Sequence, residues 1–182
     1  MNDVLDAARR VLSTTAARWQ SLVNATPTEL LERPPAPGAW SAAECLRHLL
    51  TVERLVIPVR VRHLLEGRQQ LIPYDPDAPR EPDPERTPRE LMAAFAARRR
   101  DSEALLAELT PTDLERSSHH PEFGTVTMRD LLNVWAAHDL QHVVQAEEAL
   151  MQAFIPGTGP WRYEFADHDV EARSSTPGRL AP

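Results

Sequence analysis

The sequence predicts an all-α, single-domain fold, a bundle built from four long helices, on three observations. Four long stretches repeat apolar residues at alternating steps of three and four, the period of a helix that buries one face. Capping and proline signals open three of them. A proline-rich connection of roughly twenty residues separates the second from the third, long enough for a crossover between parallel helices. The length, 182 residues, suits one domain whose core needs neither a disulfide nor a structural metal.

Taken in order, Asn2 to Val23 carries the seam Leu5, Ala8, Leu12, Thr15, Trp19 and Leu22. Thr26-Pro27-Thr28-Glu29 offers a cap, a proline at the first helical position and a glutamate three residues after the cap, which predicts a short helical turn ended by Pro34, Pro35, Pro37 and Gly38. Trp40-Ser41-Ala42-Ala43-Glu44 opens the second long helix. Ser41 can cap the amide of Glu44, Glu44 can return to the amide of Ser41, and Trp40 can staple onto Cys45. This helix is expected to reach about Leu65, kinked or split at Pro58, with Cys45, His48, Val52, Leu55 and Val59 inward.

Gly67 to Arg86, with Pro73, Pro76, Pro79, Pro82 and Pro84, reads as a crossover, and a lid over a site is the other use of such a loop. Thr87-Pro88-Arg89-Glu90 opens the third long helix, to about Leu109. Its stripe of Leu91, Phe95, Arg98 or Arg99, Ser102, Leu105 or Leu106, and Leu109 is polar in the middle. Thr110-Pro111-Thr112-Asp113 starts another short turn, and Ser117 to Gly124 reads as loop. Thr127-Met128-Arg129-Asp130 caps the fourth long helix, to roughly Met151. Residues 1–155 form the bundle, and 156–182 an extension. There Trp161, Tyr163 and Phe165 alternate, predicting an extended segment docked on the bundle, and Ser174 to Pro182 has the composition of a disordered tail.

Composition narrows the function classes. Twenty Lys and Arg against 27 Asp and Glu give a net charge of -7, without the broad basic surface that nucleic acid requires. The run Arg98-Arg99-Arg100 reads as a solvated face. No apolar run is long enough to span a membrane. Cys45 is the single cysteine, so no intramolecular disulfide forms, and the N-terminus lacks a secretory signal pattern. A soluble, cytoplasmic protein is expected.

Chemistry concentrates on the fourth helix. Its inward stripe is Leu131, Trp135, His138, His142, Ala146 and Ala149, so two of the seven histidines lie four residues apart on one face, about 6 Å along the axis. His48 occupies a core position on the second helix. Three buried imidazoles on two helices can share one cation, and bundle interiors are where such sites are built. Three neutral imidazoles would leave a Zn²⁺-like ion one open position, as catalytic sites do. Alternatively, each histidine is a satisfied core residue bonded to a backbone carbonyl or a carboxylate, and the residue pattern leaves both readings open.

The remaining candidates have quieter readings. Cys45, one turn before His48, is a fourth ligand, a nucleophile or, more commonly, a small buried hydrophobe. Gln145 and Glu44, each one turn from a candidate ligand, can support the site, with Glu44 favoured as a cap. Asp139 and Gln141 are expected to point away as surface or interface residues. Arg98, Arg99 and Ser102 could reach an anionic substrate, with the solvated face favoured. His63, His119, His120 and His168 are expected in solvent.

Trp40-Ser41 leading into Glu44, His48 and Glu53, and then Phe123 to Leu132 running into His138-x-x-x-His142-x-x-Gln145, resembles the DinB superfamily over roughly Asn2 to Ala153. The resemblance implies an up-down-down-up four-helix bundle with its long crossover between the second and third helices, and a homodimer. It also implies a divalent metal held by His48, His138 and His142, with zinc or nickel as first candidates. Members with assigned activity include thiol-dependent S-transferases and isomerases, which use a low-molecular-weight thiol as cosubstrate, and others are described as metal-dependent hydrolases. The expected function is therefore a metal-dependent hydrolase or thiol S-transferase acting on a small-molecule substrate. The alternative is a non-catalytic dimeric module that binds a metal or small ligand.

Overall fold

Residues 4–74 and 85–170 are described by a computed structural model, and most of the Tyr74 to Glu85 loop and the predicted tail lie outside them. The helices are α1 (Val4–Ala25), the one-turn α2 (Thr28–Leu31), α3 (Ala42–Leu55), α4 (Ile57–Leu65), α5 (Pro88–Glu108) and α6 (Met128–Met151). Three of the long helices begin with reciprocal caps. Ser41 Oγ accepts the amide of Glu44 at 3.2 Å while Glu44 Oε2 accepts the amide of Ser41 at 2.7 Å. Thr87 with Glu90 and Thr127 with Asp130 repeat the exchange. Each pair satisfies two amides that a first turn leaves without intrahelical partners. Pro58, which has no amide to donate, lies just past the break at Val56 (φ -120, ψ -81) that splits α3 from α4.

Directions follow from side-chain contacts. Arg9 Nη2 near the start of α1 donates to the carbonyls of Leu106 and Leu109 at 2.7 and 2.8 Å, and Asn24 near its end meets Arg89 at 3.2 Å, so α1 and α5 are antiparallel. His48 meets His138 and His142, while Glu53 meets Trp135, so α3 and α6 are antiparallel as well. Leu46 and Leu49 share a core cluster with Leu91 and Phe95, and Val52 and Val56 share another with Leu105 and Leu106, so α3 and α5 run parallel. The topology is up-down-down-up, with the crossover joining the parallel pair. Both α1 and α3 pack on α5 and α6, which places α1 diagonally opposite α3.

Between the two apolar clusters lies a charged layer. Arg99, 1% exposed, uses all five guanidinium hydrogens. Nε donates to Glu53 Oε1 at 3.0 Å and Nη2 to Glu53 Oε2 at 2.9 Å and Asp139 Oδ1 at 3.1 Å. Nη1 donates to Asp139 Oδ2 at 2.6 Å and to the Leu12 carbonyl at 3.1 Å. Trp135 Nε1 adds a bond to Glu53 Oε2 at 3.3 Å. Burial pulls the guanidinium pKa down, and the Asp139 and Glu53 carboxylates more than offset it, so Arg99 stays charged.

Several expectations are corrected. Arg99 and Ser102 are buried structural groups rather than a solvated or substrate-facing edge, and Asp139, also 1% exposed, is internal rather than at the surface. His63 and His120 are buried, not in solvent. On α3, Leu55 turns outward and Glu53 inward, because the arginine across the core needs a counter-charge. The α1 seam ends on Val23 rather than Leu22.

Ser117 to Gly124 is not loop. It belongs to an antiparallel hairpin, β1 (Ser117–His120) with β2 (Gly124–Thr127), in register Ser118 to Val126, and Gly124 (φ 73) takes the left-handed conformation where the turn re-enters β2. The start of the crossover adds to its edge, Leu71 N donating to the His119 carbonyl at 2.9 Å. Ile155–Phe165 is 3-10 helical rather than extended, with Trp161 and Tyr163 outward. Pro156 and Pro160 lack the amides a paired strand would use, and Gly159 (φ 57) turns the chain between them.

Replacing Arg99 by Ala would leave two buried carboxylates without their partner. Urea unfolding of Arg99→Ala is expected to show a loss of about 3–5 kcal/mol. Arg98→Ala, on the exposed side of the same helix, should change stability by less than about 0.5 kcal/mol.

A candidate metal centre of three histidines

α3 supplies His48 nearly two turns after its capped start, and α6 supplies His138 and His142 on adjacent turns of its inward face. His48 Nε2 lies 3.0 Å from His138 Nε2, which lies 3.1 Å from His142 Nε2, and the three ligand atoms fall within 4.8 Å of one another. Nitrogens about 2.0–2.1 Å from a tetrahedral ion are separated by about 3.3 Å, close to this spacing. Among the described residues this is the one group of three or more His, Cys, Asp or Glu side chains arranged to hold an ion.

Proton assignments decide between the two readings of the triplet. Gln145 Oε1 lies 2.9 Å from His142 Nδ1, so Nδ1–H donates to it and Nε2 carries the lone pair. His138 Nδ1 is buried without a partner. If His138 Nε2 carries the proton, one N–H must be shared between two acceptors and Nδ1 is left as a bare buried lone pair. If Nδ1 carries it, Nε2 turns a lone pair toward that of His142. A cation at the centre accepts all three lone pairs at once, so the donor set fits a divalent metal. Satisfied core histidines, the other reading of the sequence, do not describe these contacts.

Burial holds all three imidazoles in the neutral form that ligands need. It lowers His48 to about 4, with help from His142, and His138 to about 4, with help from His142 and His48. Burial also lowers His142, partly offset by its bond to Gln145 and by the Asp139 carboxylate. Trp40 lies over the cluster, its ring 4.9 Å from that of His48 and stacked at 5.8 Å on that of His142, while 39% of the residue faces solvent. Cys45 is fully buried, its thiol pushed up to about 12 by burial and by Glu44, so it behaves as a small hydrophobe. Glu44 is the cap, and Gln141 is exposed.

Glu53 and Asp139 are the residues whose roles the sequence reading misses. A signal existed: Trp135, Asp139, His142 and Ala146 continue the same three-and-four stepping as Trp135, His138 and His142. A face about 100° wide admits both neighbours of the pair 138 and 139.

Fold and site define a four-helix bundle with a partly buried histidine triplet. A sequence model of the DinB superfamily matches residues 12–146, and the chain belongs to that superfamily. Among solved structures it is similar to YfiT from Bacillus subtilis, described as a probable metal-dependent hydrolase with an unusual four-helix bundle topology. The match has a TM-score of 0.72 at 21% identity and covers 84% of this chain and 89% of that one, which establishes a shared fold. No curated protein matches. Among the described residues no helix is long and apolar enough to cross a membrane.

The lowered histidines give acid sensitivity a direction. In the metal-free protein, unfolded histidines near 6.5 take up protons that His48 and His138 resist until about 4. Stability is therefore highest above pH 6.5 and falls as pH drops from 6.5 toward 4. Chemical denaturation across that window should show a shallower fall in His138→Gln than in the parent chain.

Proposed function

We propose that this chain is a metal-dependent enzyme in which His48, His138 and His142 hold a divalent ion, zinc or nickel, and that it hydrolyses a small-molecule substrate. The observation that carries this reading is the convergence of three Nε2 atoms that no placement of protons satisfies without either leaving His138 Nδ1 a bare buried lone pair or setting two lone pairs face to face. An ion with three imidazole ligands and an open position supplies a nucleophile at neutral pH, from water in hydrolysis or from a small thiol in transfer.

The chain's own residues do the rest. Gln145 fixes the His142 tautomer, so that Nε2 faces the centre without a proton to lose. Trp40 excludes water from one side of the His48 and His142 rings and offers its exposed part to an incoming substrate. Asp139, held by Arg99, puts a negative charge close enough to act on His142, which favours a cation in the half-buried centre. On the outer side of α6, Val134, Leu140 and Val144 are exposed and give a homodimer an apolar surface.

The description of YfiT supports hydrolysis as the first reaction to test. Thiol transfer is the second reading, supported by the DinB resemblance, and a requirement for a low-molecular-weight thiol separates the two. A binding module without turnover is the outcome if metal binds and neither reaction occurs.

Elemental analysis after loading with Zn²⁺ or Ni²⁺ should find close to one equivalent in the parent chain. Less than about a tenth should remain in His48→Ala and His142→Ala. Gln145→Ala should bind about 10–100-fold more weakly, as loss of a ligand's supporting hydrogen bond typically does. A parent chain without metal would overturn the reading.

A further inference from the structure

We propose that Arg60 on α4 and His120 on β1 form a binding site for a small oxyanion, a phosphate or carboxylate group. Arg60 Nη2 lies 3.2 Å from His120 Nε2. On the other side of the ring, the Glu122 amide donates to His120 Nδ1 at 3.2 Å. A neutral imidazole has one lone pair. With that lone pair on Nδ1, Nε2 is an N–H and faces the guanidinium donor to donor. With it on Nε2, the conflict moves to the Glu122 amide. In either tautomer the donors around this ring outnumber the acceptors, and His120 is only 3% exposed, so bulk water does not make up the difference.

The surroundings point the same way. Arg60 is half-buried, burial pulls its pKa down, and among the described residues it makes no ion pair. Glu122 is close enough to act on His120, but it is exposed and screened by solvent. Ser118 shares the buried face of β1 with His120, and His63 follows Arg60 by three residues on α4. Ser118 Oγ and His63 Nδ1 are both buried without a partner. Phe123 stacks on the His120 ring at 4.7 Å and fixes its plane.

A guanidinium fork beside an imidazole N–H matches two oxygens of one anion, which would accept the surplus protons and neutralise Arg60. This place is separate from the three histidines: the hairpin leads into the first turn of α6, and His138 lies ten residues, about 15 Å, further along that helix.

The test is titration of the full chain with inorganic phosphate and, separately, acetate at low ionic strength. Binding is followed by calorimetry and by the side-chain nitrogen resonances of His120. Saturable binding of either anion is expected, with a shift at His120 and no change in metal content. Arg60→Gln should weaken it about tenfold or more. Arg47→Gln, which removes an exposed arginine from α3, should bind as the parent does. Thermal melts of both variants establish that they fold. Absence of saturable binding up to about 10 mM would overturn the proposal. So would equal binding by Arg60→Gln, or an equal loss in Arg47→Gln.

Discussion

The five hydrogen bonds of Arg99 are the constraint around which this bundle closes. They reach a main-chain carbonyl of α1 and carboxylates of α3 and α6 from a side chain of α5, so one guanidinium touches every long helix. Apolar seams alone tolerate sliding, since one leucine replaces another after a turn. A planar fork with two bidentate partners does not, because a one-turn slip of α3, α5 or α6 would leave a charge buried and unpaired. The layer carries one arginine against two carboxylates, and Trp135 and Ser102 spread the excess negative charge through further hydrogen bonds to Glu53.

That layer also fixes the histidine triplet. Asp139 follows His138 directly and precedes His142 by three residues, and Glu53 lies five residues beyond His48. Fixing the carboxylates fixes the rotation of α3 and α6 about their axes, and with it the aim of the three imidazoles. Gln145 and Trp40 then act locally, one by choosing a tautomer and the other by covering the rings. Burial keeps the histidines neutral even though Asp139, paired to Arg99, pulls His142 the other way.

Much of this was legible in the residue order. Periodicity gave the long helices, the Ser41, Thr87 and Thr127 boxes gave three of their starts, and His48, His138 and His142 fell on inward stripes. What escaped shares one cause. Asp139, Glu53 and Arg99 are charged, and a charge on a stripe is ordinarily solvated. Only the spatial meeting of all three makes burial tolerable, and no single helix contains that information. The Ser-Ser-His-His strand escaped because it has no apolar alternation, and its pairing depends on Gly124 and on the edge supplied by Leu71. The Trp161 to Phe165 alternation misled because Pro156, Gly159 and Pro160 dominate the backbone there.

The parallel pairing of α3 and α5 bears on how the centre comes into being. His48 and His138 are 90 residues apart in the chain and meet only where α3 packs against α6. Without that packing, α6 alone offers only the His138 and His142 pair and lacks the third nitrogen. An ion held by all three nitrogens, as proposed above, would therefore favour the packed bundle over a chain that offers only the α6 pair.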